Sequence, residues 1–496
     1  VGIKPRIIEL LRSGEEEAQF SKMLATIRTD APITFTLADT TWQGHADADR
    51  IQALFSEFGF RTLGARVVKL LGGEVVPASV VTVDAVTAAT ASLYLWLVDS
   101  ERTNASLEEV VDYGRAYLGT TDVLVIIERL REQLVTTGVW SVYESIEAPL
   151  RPVLAAMAAR GIMLDVPYLA SLSATMHAEL TQLEAAIFAA AGTTFNLNSP
   201  KQLGTVLFDT LGLKPKQQKK TAGGQRSTKE SELEKMRDMH PVIPAIMRYR
   251  ELQKLVSTYI DALPTYVAAD GRVHTTFIQT GAATGRMATQ NPGLQNIPVR
   301  TEESRAIRRA FVAAPGYTLV SIDYSQIELR VAAILSKDEK LMEIFQRGED
   351  VHTGVAVRVF GVTPETVTKE MRRKAKVINF GILYGMGVNA LRANLGEGTP
   401  REEAQEFLNA YFTTFTRLAE YLEETKATAR HLGYTETLFG RRRHFPGITS
   451  QAPFIKAMAE RMAINAPVQG TAADMMRIAM VRVAELIATA GWETTV

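Results

Sequence analysis

Gly316-Tyr-Thr-Leu-Val-Ser-Ile-Asp323-Tyr-Ser-Gln-Ile-Glu328-Leu-Arg330 is the stretch on which the reading of this chain turns. Its first half is an apolar run that reads as a β-strand. Its closing carboxylate, Asp323, would project at a sheet edge, where a hard divalent cation can be held together with water and substrate oxygens. The second half opens a helix over about residues 326–335. Ser325 stands where it can cap that helix, and Glu328 falls in the first turn, where the helix dipole favours negative charge. A plainer reading stays open, in which both acids merely start the helix.

Downstream, Met371-Arg-Arg-Lys-Ala-Lys376-Val-Ile-Asn-Phe380-Gly-Ile-Leu-Tyr384-Gly385 carries a second pattern. Arg372, Lys376, Phe380 and Tyr384 are spaced by four, so on a helix they drift only about 40° per step and form one stripe. Arg372 and Phe380 would lie about 12 Å apart, the reach from the terminal phosphate of a nucleoside triphosphate to its base. Two cations would then meet a polyphosphate, and the aromatics a sugar and base. The alternative is a buried aromatic stripe with its cations snorkelling at one end. Gly381 and Gly385 weaken the helix where a pivot would be useful. A third group, Thr284-Gly-Arg286, Gln295-Asn296, Arg300, Arg441-Arg-Arg443 and Gln469, offers forked donors and amides suited to phosphates or minor-groove acceptors.

Around these segments the chain changes character. Residues 1–30 read as helical, 31–140 mix short apolar runs with helices, and 141–190 carry long helices with Ile146, Leu150, Leu154 and Met157 on one face. Lys214, Lys216, Lys219, Lys220 and Arg226 surround Gly223-Gly224 in a basic loop, open to reading as a solubilising surface or as a phosphate contact. Short strands and Gly-, Thr- and Asn-rich loops follow residue 270, and residues 338–491 are nearly all helical. The class is therefore α+β.

The 496 residues allow about three domains. With 55 basic and 55 acidic residues, 46% hydrophobic, the chain is neither a disordered tail nor a uniformly basic wrapping protein, although a zero sum does not exclude nucleic acid. Absence of cysteine excludes disulfides, thiol nucleophiles and Cys-ligated zinc. The best membrane candidate, residues 79–98, is interrupted by Asp84 and reads as a buried segment, so no membrane partner is expected. Charge throughout residues 1–30 argues against a signal peptide, and the start at Val1 reads as that of a fragment.

Taken together, these segments resemble the family A DNA polymerases, the bacterial DNA polymerase I family. Asp323-Tyr-Ser-Gln-Ile-Glu-Leu-Arg330 looks like its motif A and residues 372–385 like motif B. Further matches are Phe195-Asn-Leu-Asn-Ser-Pro-Lys-Gln-Leu203, Thr284-Gly-Arg286, Leu294-Gln-Asn-Ile-Pro-Val-Arg300, Asp350-Val-His-Thr353, Gly440-Arg-Arg-Arg443 and Pro467-Val-Gln-Gly-Thr-Ala-Ala-Asp474, in the family's order. The resemblance implies a right-hand polymerase fold of palm, fingers and thumb, preceded by a small degenerate 3′-5′ exonuclease-like domain. The implied divisions are the end of a 5′-nuclease region over 1–45, the shrunken exonuclease-like domain over 46–140, palm entry over 141–165, thumb over 166–265, palm with motif A over 266–330, and fingers with motif B over 331–496.

By the same resemblance, Asp323 and the Tyr324 carbonyl bind Mg²⁺, two ions being expected, and Asp323, Lys376 and Arg372 are catalytic. His352, Arg372 and Lys376 hold the triphosphate with Gln326 nearby, Phe380 stacks on the incoming nucleotide, Tyr384 closes the site, and Glu328 obstructs a ribose 2′-hydroxyl. Arg286, Asn296, Arg300, Gln469 and Arg441 face DNA, and Lys219 and Lys220 belong to the thumb tip. The expected partners are primer–template DNA and dNTPs, and the expected setting is a cytoplasmic, nucleoid-associated monomer in replication and repair.

Departures from the family accompany these matches. The His-Asp-Glu hairpin of motif C, which brings a second carboxylate, would come after residue 496, and Asp474 and Glu485 lie in helical pattern and do not replace it. The sequence thus reads as stopping shortly before motif C. No Asp-x-Glu strand occurs between Leu70 and Tyr94, while Trp96-Leu-Val-Asp-Ser-Glu-Arg-Thr-Asn104 resembles the later part of a proofreading domain, so no proofreading is expected. Leu24-Ala-Thr-Ile-Arg-Thr29 resembles the last nuclease helices, and Gly293 stands where relatives carry an amide. Two competing readings are a catalytically incomplete polymerase-like DNA-binding protein and a single-subunit RNA polymerase, the latter disfavoured by Glu328.

Overall fold

The structure, a computed structural model, describes residues 83–215, 224–299, 301–396, 398–492, 494 and 495, together with residues 47, 50, 51, 54, 55, 67 and 70. The chain divides into two compact units, Val1–Val81 and Thr82–Val496. All that follows concerns the second. The expected nuclease end over 1–45, and Lys219, Lys220 and Arg300, lie outside the described residues.

The second unit opens with helix α1 (Ala85–Val98), whose first amides are capped by the Asp84 carboxylate at 2.9 and 3.0 Å. Its second half is buried on all sides, from Leu93 to Leu97, which explains the membrane-like hydropathy of the sequence there. No described helix is long and apolar enough to cross a membrane. Among the described residues before Ile162 the regular elements are helices only.

Helix α2 (Ala148–Arg160) leads through Gly161 into strand β1 (Ile162–Leu164). This strand is the middle of a three-stranded antiparallel sheet with β2 (Arg272–Val273) and β5 (Phe311–Val312), in the register Ile162↔Val273 and Leu164↔Phe311. Between β1 and β2 stand helix α3 (Val166–Ala191), started by Asp165 and Pro167, and helix α4 (Val242–Leu255). Their apolar faces, with Leu169, Met176, Leu180 and Ile187 from one and Ile243, Ile246 and Leu252 from the other, join a single core. Two hairpins complete the strands: β3 (Thr276–Ile278) with β4 (Ala288–Gln290), and β6 (Tyr434–Glu436) with β7 (Arg442–His444).

The predicted strand ending at Asp323 is not one. Residues 313–324 form no ladder with any described strand, and without a neighbour an extended run cannot satisfy its backbone as a strand. Its apolar residues consequently face outward, Val320 at 79% and Ile322 at 91% exposure. The helix behind it does form, as α5 (Ile327–Ser336), but Ser325 does not cap it. Gln326 takes the N-cap place in the left-handed region at φ +54°, and the Ser325 carbonyl instead accepts from Arg330 Nε at 2.8 Å.

The remaining helices include α6 (Val351–Phe360), α7 (Lys369–Leu383), α8 (Thr416–Leu432) and the long α9 (Pro453–Ala490). Leu329, Val331, Val355, Ile378, Leu418 and Val468 from these elements pack into the second core. That packing fixes α5, α7 and α9 relative to one another, and the site is built where the three meet.

Candidate functional site

Helix α7 begins where the Thr368 hydroxyl accepts from the Met371 amide at 3.1 Å, and it ends at Leu383. Arg372, Lys376 and Phe380 therefore share one helical face as the spacing predicts. Tyr384 lies past the helix end, followed by Gly385 in the left-handed region at φ +66°, where a Cβ would come within 2.8 Å of the Arg461 side chain. The break is thus built from a glycine required both by its dihedral and by close approach.

The cations of the stripe differ. Arg372 is engaged bidentately by Asp350, Nε to Oδ1 at 3.0 Å and Nη2 to Oδ2 at 2.8 Å, while the same carboxylate caps α6 through the Thr353 amide at 2.8 Å. The Arg372 hydrogen bonds, with those from Thr353, hold the Asp350 carboxyl well below the usual carboxylate range despite partial burial. Lys376 is exposed and enters no ion pair among the described residues. This face therefore presents one ammonium without an ion pair among the described residues, and a guanidinium that any anion would have to share with, or take from, Asp350.

His352, expected on the triphosphate, is buried at 2% exposure. It sits 5.7 Å from the Phe380 ring, with Nδ1 against Asn379 Nδ2 at 3.1 Å and Nε2 without a partner. As placed, it offers no surface to a ligand, because helix α6 turns it into the core behind Phe380. Burial pushes its imidazole below the ordinary value, with Arg372 and Lys376 adding to the effect and Asp350 opposing it. A histidine held neutral in the folded state contributes stability above its unfolded value near 6.5 and loses it as pH falls below that. Urea unfolding is expected to show a lower midpoint at pH 5.5 than at pH 7.5, and His352→Gln should shrink that difference; an undiminished difference would refute the assignment.

Beside this face, three distant segments gather around Glu328. Arg286 Nη2 donates to its Oε1 at 2.5 Å, and the Tyr384 hydroxyl donates to its Oε2 at 2.9 Å. The Gln469 amide, with its oxygen turned toward Arg286, accepts from Nη1 at 3.0 Å and donates to Thr284 Oγ1 at 3.2 Å. Burial raises the Tyr384 phenol above its ordinary value, and the Glu328 charge raises it further, so the phenol stays a donor. Asp323 and Tyr324 stand exposed five and four residues before Glu328. Asn296 is exposed on the turn Leu294–Asn296, which the Tyr259 hydroxyl fastens through the Asn296 carbonyl at 2.6 Å.

Arg441 requires a correction. Expected to face DNA, it lies inside the protein at 4% exposure, its Nε on Asp474 Oδ1 at 2.7 Å and its Nη2 on Glu147. Its neighbours are engaged too, Arg442 with Glu436 at 2.7 Å and Arg443 with Glu101 at 3.4 Å. Arg441 is consumed by two internal acids from remote parts of the chain, whereas Arg442 and Arg443 pair with acids that are themselves exposed. Sequence reading missed Glu147 and Arg477, whose one visible signal was a carboxylate and a guanidinium placed within otherwise apolar helical patterns.

Among the described residues no group of three or more acidic or histidine side chains is poised to hold a metal ion. The donors present at Asp323 and the Tyr324 carbonyl suit a hard cation that keeps waters and takes substrate phosphate oxygens, for which one or two carboxylates suffice.

Residues 166–496 match the sequence profile of DNA polymerase family A. The chain is 52% identical over 341 residues to the thermostable DNA polymerase I of Thermus thermophilus, a match covering 68% of this chain and 41% of that protein. It is 42% identical over 395 residues to DNA polymerase I of Deinococcus radiodurans, covering 79% and 41% respectively. Among solved structures it is similar to the POL domain of Pol1 from M. smegmatis in complex with DNA primer-template and dNTP, with a TM-score of 0.75 and 36% identity over 82% of this chain and 72% of that one. The chain spans about two fifths of the length of these curated relatives.

Proposed function

The chain belongs to DNA polymerase family A, and from that premise we propose that it is a DNA-dependent DNA polymerase, adding deoxynucleotides from dNTPs to a primer 3′-hydroxyl. The observation that carries this reading is the convergence of Arg286 and Tyr384 on Glu328, with Gln469 behind Arg286, a few residues from the exposed Asp323 and beside the face bearing Lys376 and Arg372. On this reading residues 166–265 are the thumb, 266–330 carry the palm and 331–496 the fingers. Replication and repair without proofreading, by a cytoplasmic monomer, complete the proposal.

Each side chain then has a task. Lys376 and the Arg372 fork, drawn from Asp350 to a phosphate, hold the triphosphate, where a charge-assisted bidentate bond is strong and directional. Phe380 supplies a stacking face for the incoming base. Glu328 occupies the space a ribose 2′-hydroxyl would need, held there by Arg286 and Tyr384. Arg286 and Asn296 offer donors to the primer–template end, the buried Gln469 backs Arg286, and Arg300 and the loop carrying Lys219 and Lys220 meet the backbone. Asp323 and the Tyr324 carbonyl would hold Mg²⁺, which when bound with a second ion supplies charge neutralisation and alignment for an in-line displacement.

A second reading, a polymerase-like DNA-binding protein without catalysis, draws on the segment before Asp323, which pairs with no strand among the described residues. Extension of a labelled primer on a primed template separates the readings. Template-directed addition of the complementary dNTP, with the matching rNTP disfavoured about 10²-fold, is expected. Duplex binding without extension would establish the second reading, and preference for rNTP would identify an RNA polymerase. Glu328→Ala should raise the rNTP to dNTP ratio of kcat/KM by about 10²-fold; an unchanged ratio removes Glu328 from sugar selection.

A further inference from the structure

Four ionised side chains meet in the interior: Glu147 and Asp474 at 0%, Arg477 at 1% and Arg441 at 4% exposure. Burying four charges is costly and is offset only where each finds partners. Burial pushes the Glu147 carboxyl upward, and the guanidiniums of Arg477 and Arg441 overcome it, holding the group below its ordinary value.

Pairing is not all that this cluster does. Arg477 gives Nη1 to Glu147, Nε to the Gly285 carbonyl at 2.9 Å and Nη2 to the Gln279 carbonyl at 2.6 Å. The Gln279 side chain in turn donates to the Glu147 carboxylate at 2.5 Å and to its carbonyl at 2.8 Å. One guanidinium thus grips both ends of the segment running from Gln279 to Gly285, and Arg286 is the next residue. The segment has no slack. A Cβ at Gly281 would lie 2.5 Å from that of Ala288, and Gly285 has φ +86° with Arg441 Nε 3.1 Å from where its Cβ would stand.

We propose that Glu147, acting through Arg477, is a positioning residue that sets Arg286 against the primer–template. The proposal rests on the reading of Arg286 as a duplex contact. Glu147 itself touches no ligand. Its carboxylate is the counter-ion that keeps Arg477 in place, and without it the guanidinium loses one of the three anchors that define the loop.

Fluorescence anisotropy with a labelled primer–template, at fixed salt, tests this on the whole chain with Glu147→Gln, Arg286→Ala and their combination. Each single variant is expected to weaken duplex binding about tenfold, and the double variant should bind no more weakly than Arg286→Ala alone. A further loss from Glu147→Gln in the Arg286→Ala background would overturn the proposal, since the effect would then bypass Arg286. Unchanged affinity in Glu147→Gln, with Arg286→Ala weakened, would also overturn it while sparing the reading of Arg286. Unchanged affinity in Arg286→Ala would remove that reading and the proposal with it. Should circular dichroism show Glu147→Gln unfolded, Gln279→Ala, which leaves all four charges paired, is read by the same criteria with about a threefold loss expected.

Discussion

Asp323→Asn should reduce nucleotide incorporation on the order of 10³-fold or more, with the fold and the duplex affinity untouched. A carboxylate that holds a divalent cation against a transferring phosphoryl group contributes several kcal/mol to the transition state, and each 1.4 kcal/mol is tenfold in rate. Nothing structural goes with it. Asp323 is exposed and makes no hydrogen bond or ion pair among the described residues, so its replacement falls among surface changes worth within about 0.5 kcal/mol. Single-turnover extension, anisotropy and urea unfolding on the same variant separate the three quantities. Retained incorporation would sink the assignment of Asp323. A parallel loss of duplex affinity would place this carboxylate at the DNA and not at the reacting phosphate.

The elements that sequence reading placed well are those governed by local rules. The helix over 369–383 accords with the spacing by four of Arg372, Lys376 and Phe380, and their stripe follows from the geometry of that one helix. The long helix after Asp165 and Pro167 is likewise local. What failed was non-local. A strand needs a neighbour, so the apolar run before Asp323, which has the right composition, remains an exposed extended segment. Ser325 has the chemistry of a cap, but the left-handed turn at Gln326 and the grip of Arg330 on the Ser325 carbonyl put it to other use. His352 was placed on the triphosphate by family resemblance and Arg441 on DNA, whereas the packing buries both. For Arg441 the deciding partner, Glu147, is 294 residues away in sequence, a pairing no window of local pattern could contain.

That pairing carries the second large effect. Asp474→Ala should cost about 3–5 kcal/mol of stability, read as a lower urea midpoint at unchanged slope, because it leaves a buried guanidinium short of its counter-ion. Asp474 accepts from Arg441 Nε at 2.7 Å and from the Thr437 hydroxyl at 2.8 Å, so it ties the β6–β7 hairpin to α9. Burial lowers the affinity of the Arg441 guanidinium for its proton, and the charges of Glu147 and Asp474 more than restore it; a guanidinium in a protein keeps its proton. It cannot shed the charge to escape the penalty. This cluster holds two cations and two anions, and removing one of each keeps the balance. Arg441→Met combined with Asp474→Leu leaves Glu147 with Arg477 and places apolar volume beside the Trp96 ring, which lies 5.0 Å from the Arg441 guanidinium. The double variant should therefore recover most of the stability that Asp474→Ala loses, since replacing a whole buried pair by apolar groups is often neutral. If it proves no more stable than Asp474→Ala, the cost lies in the lost tie between hairpin and helix and not in the stranded charge.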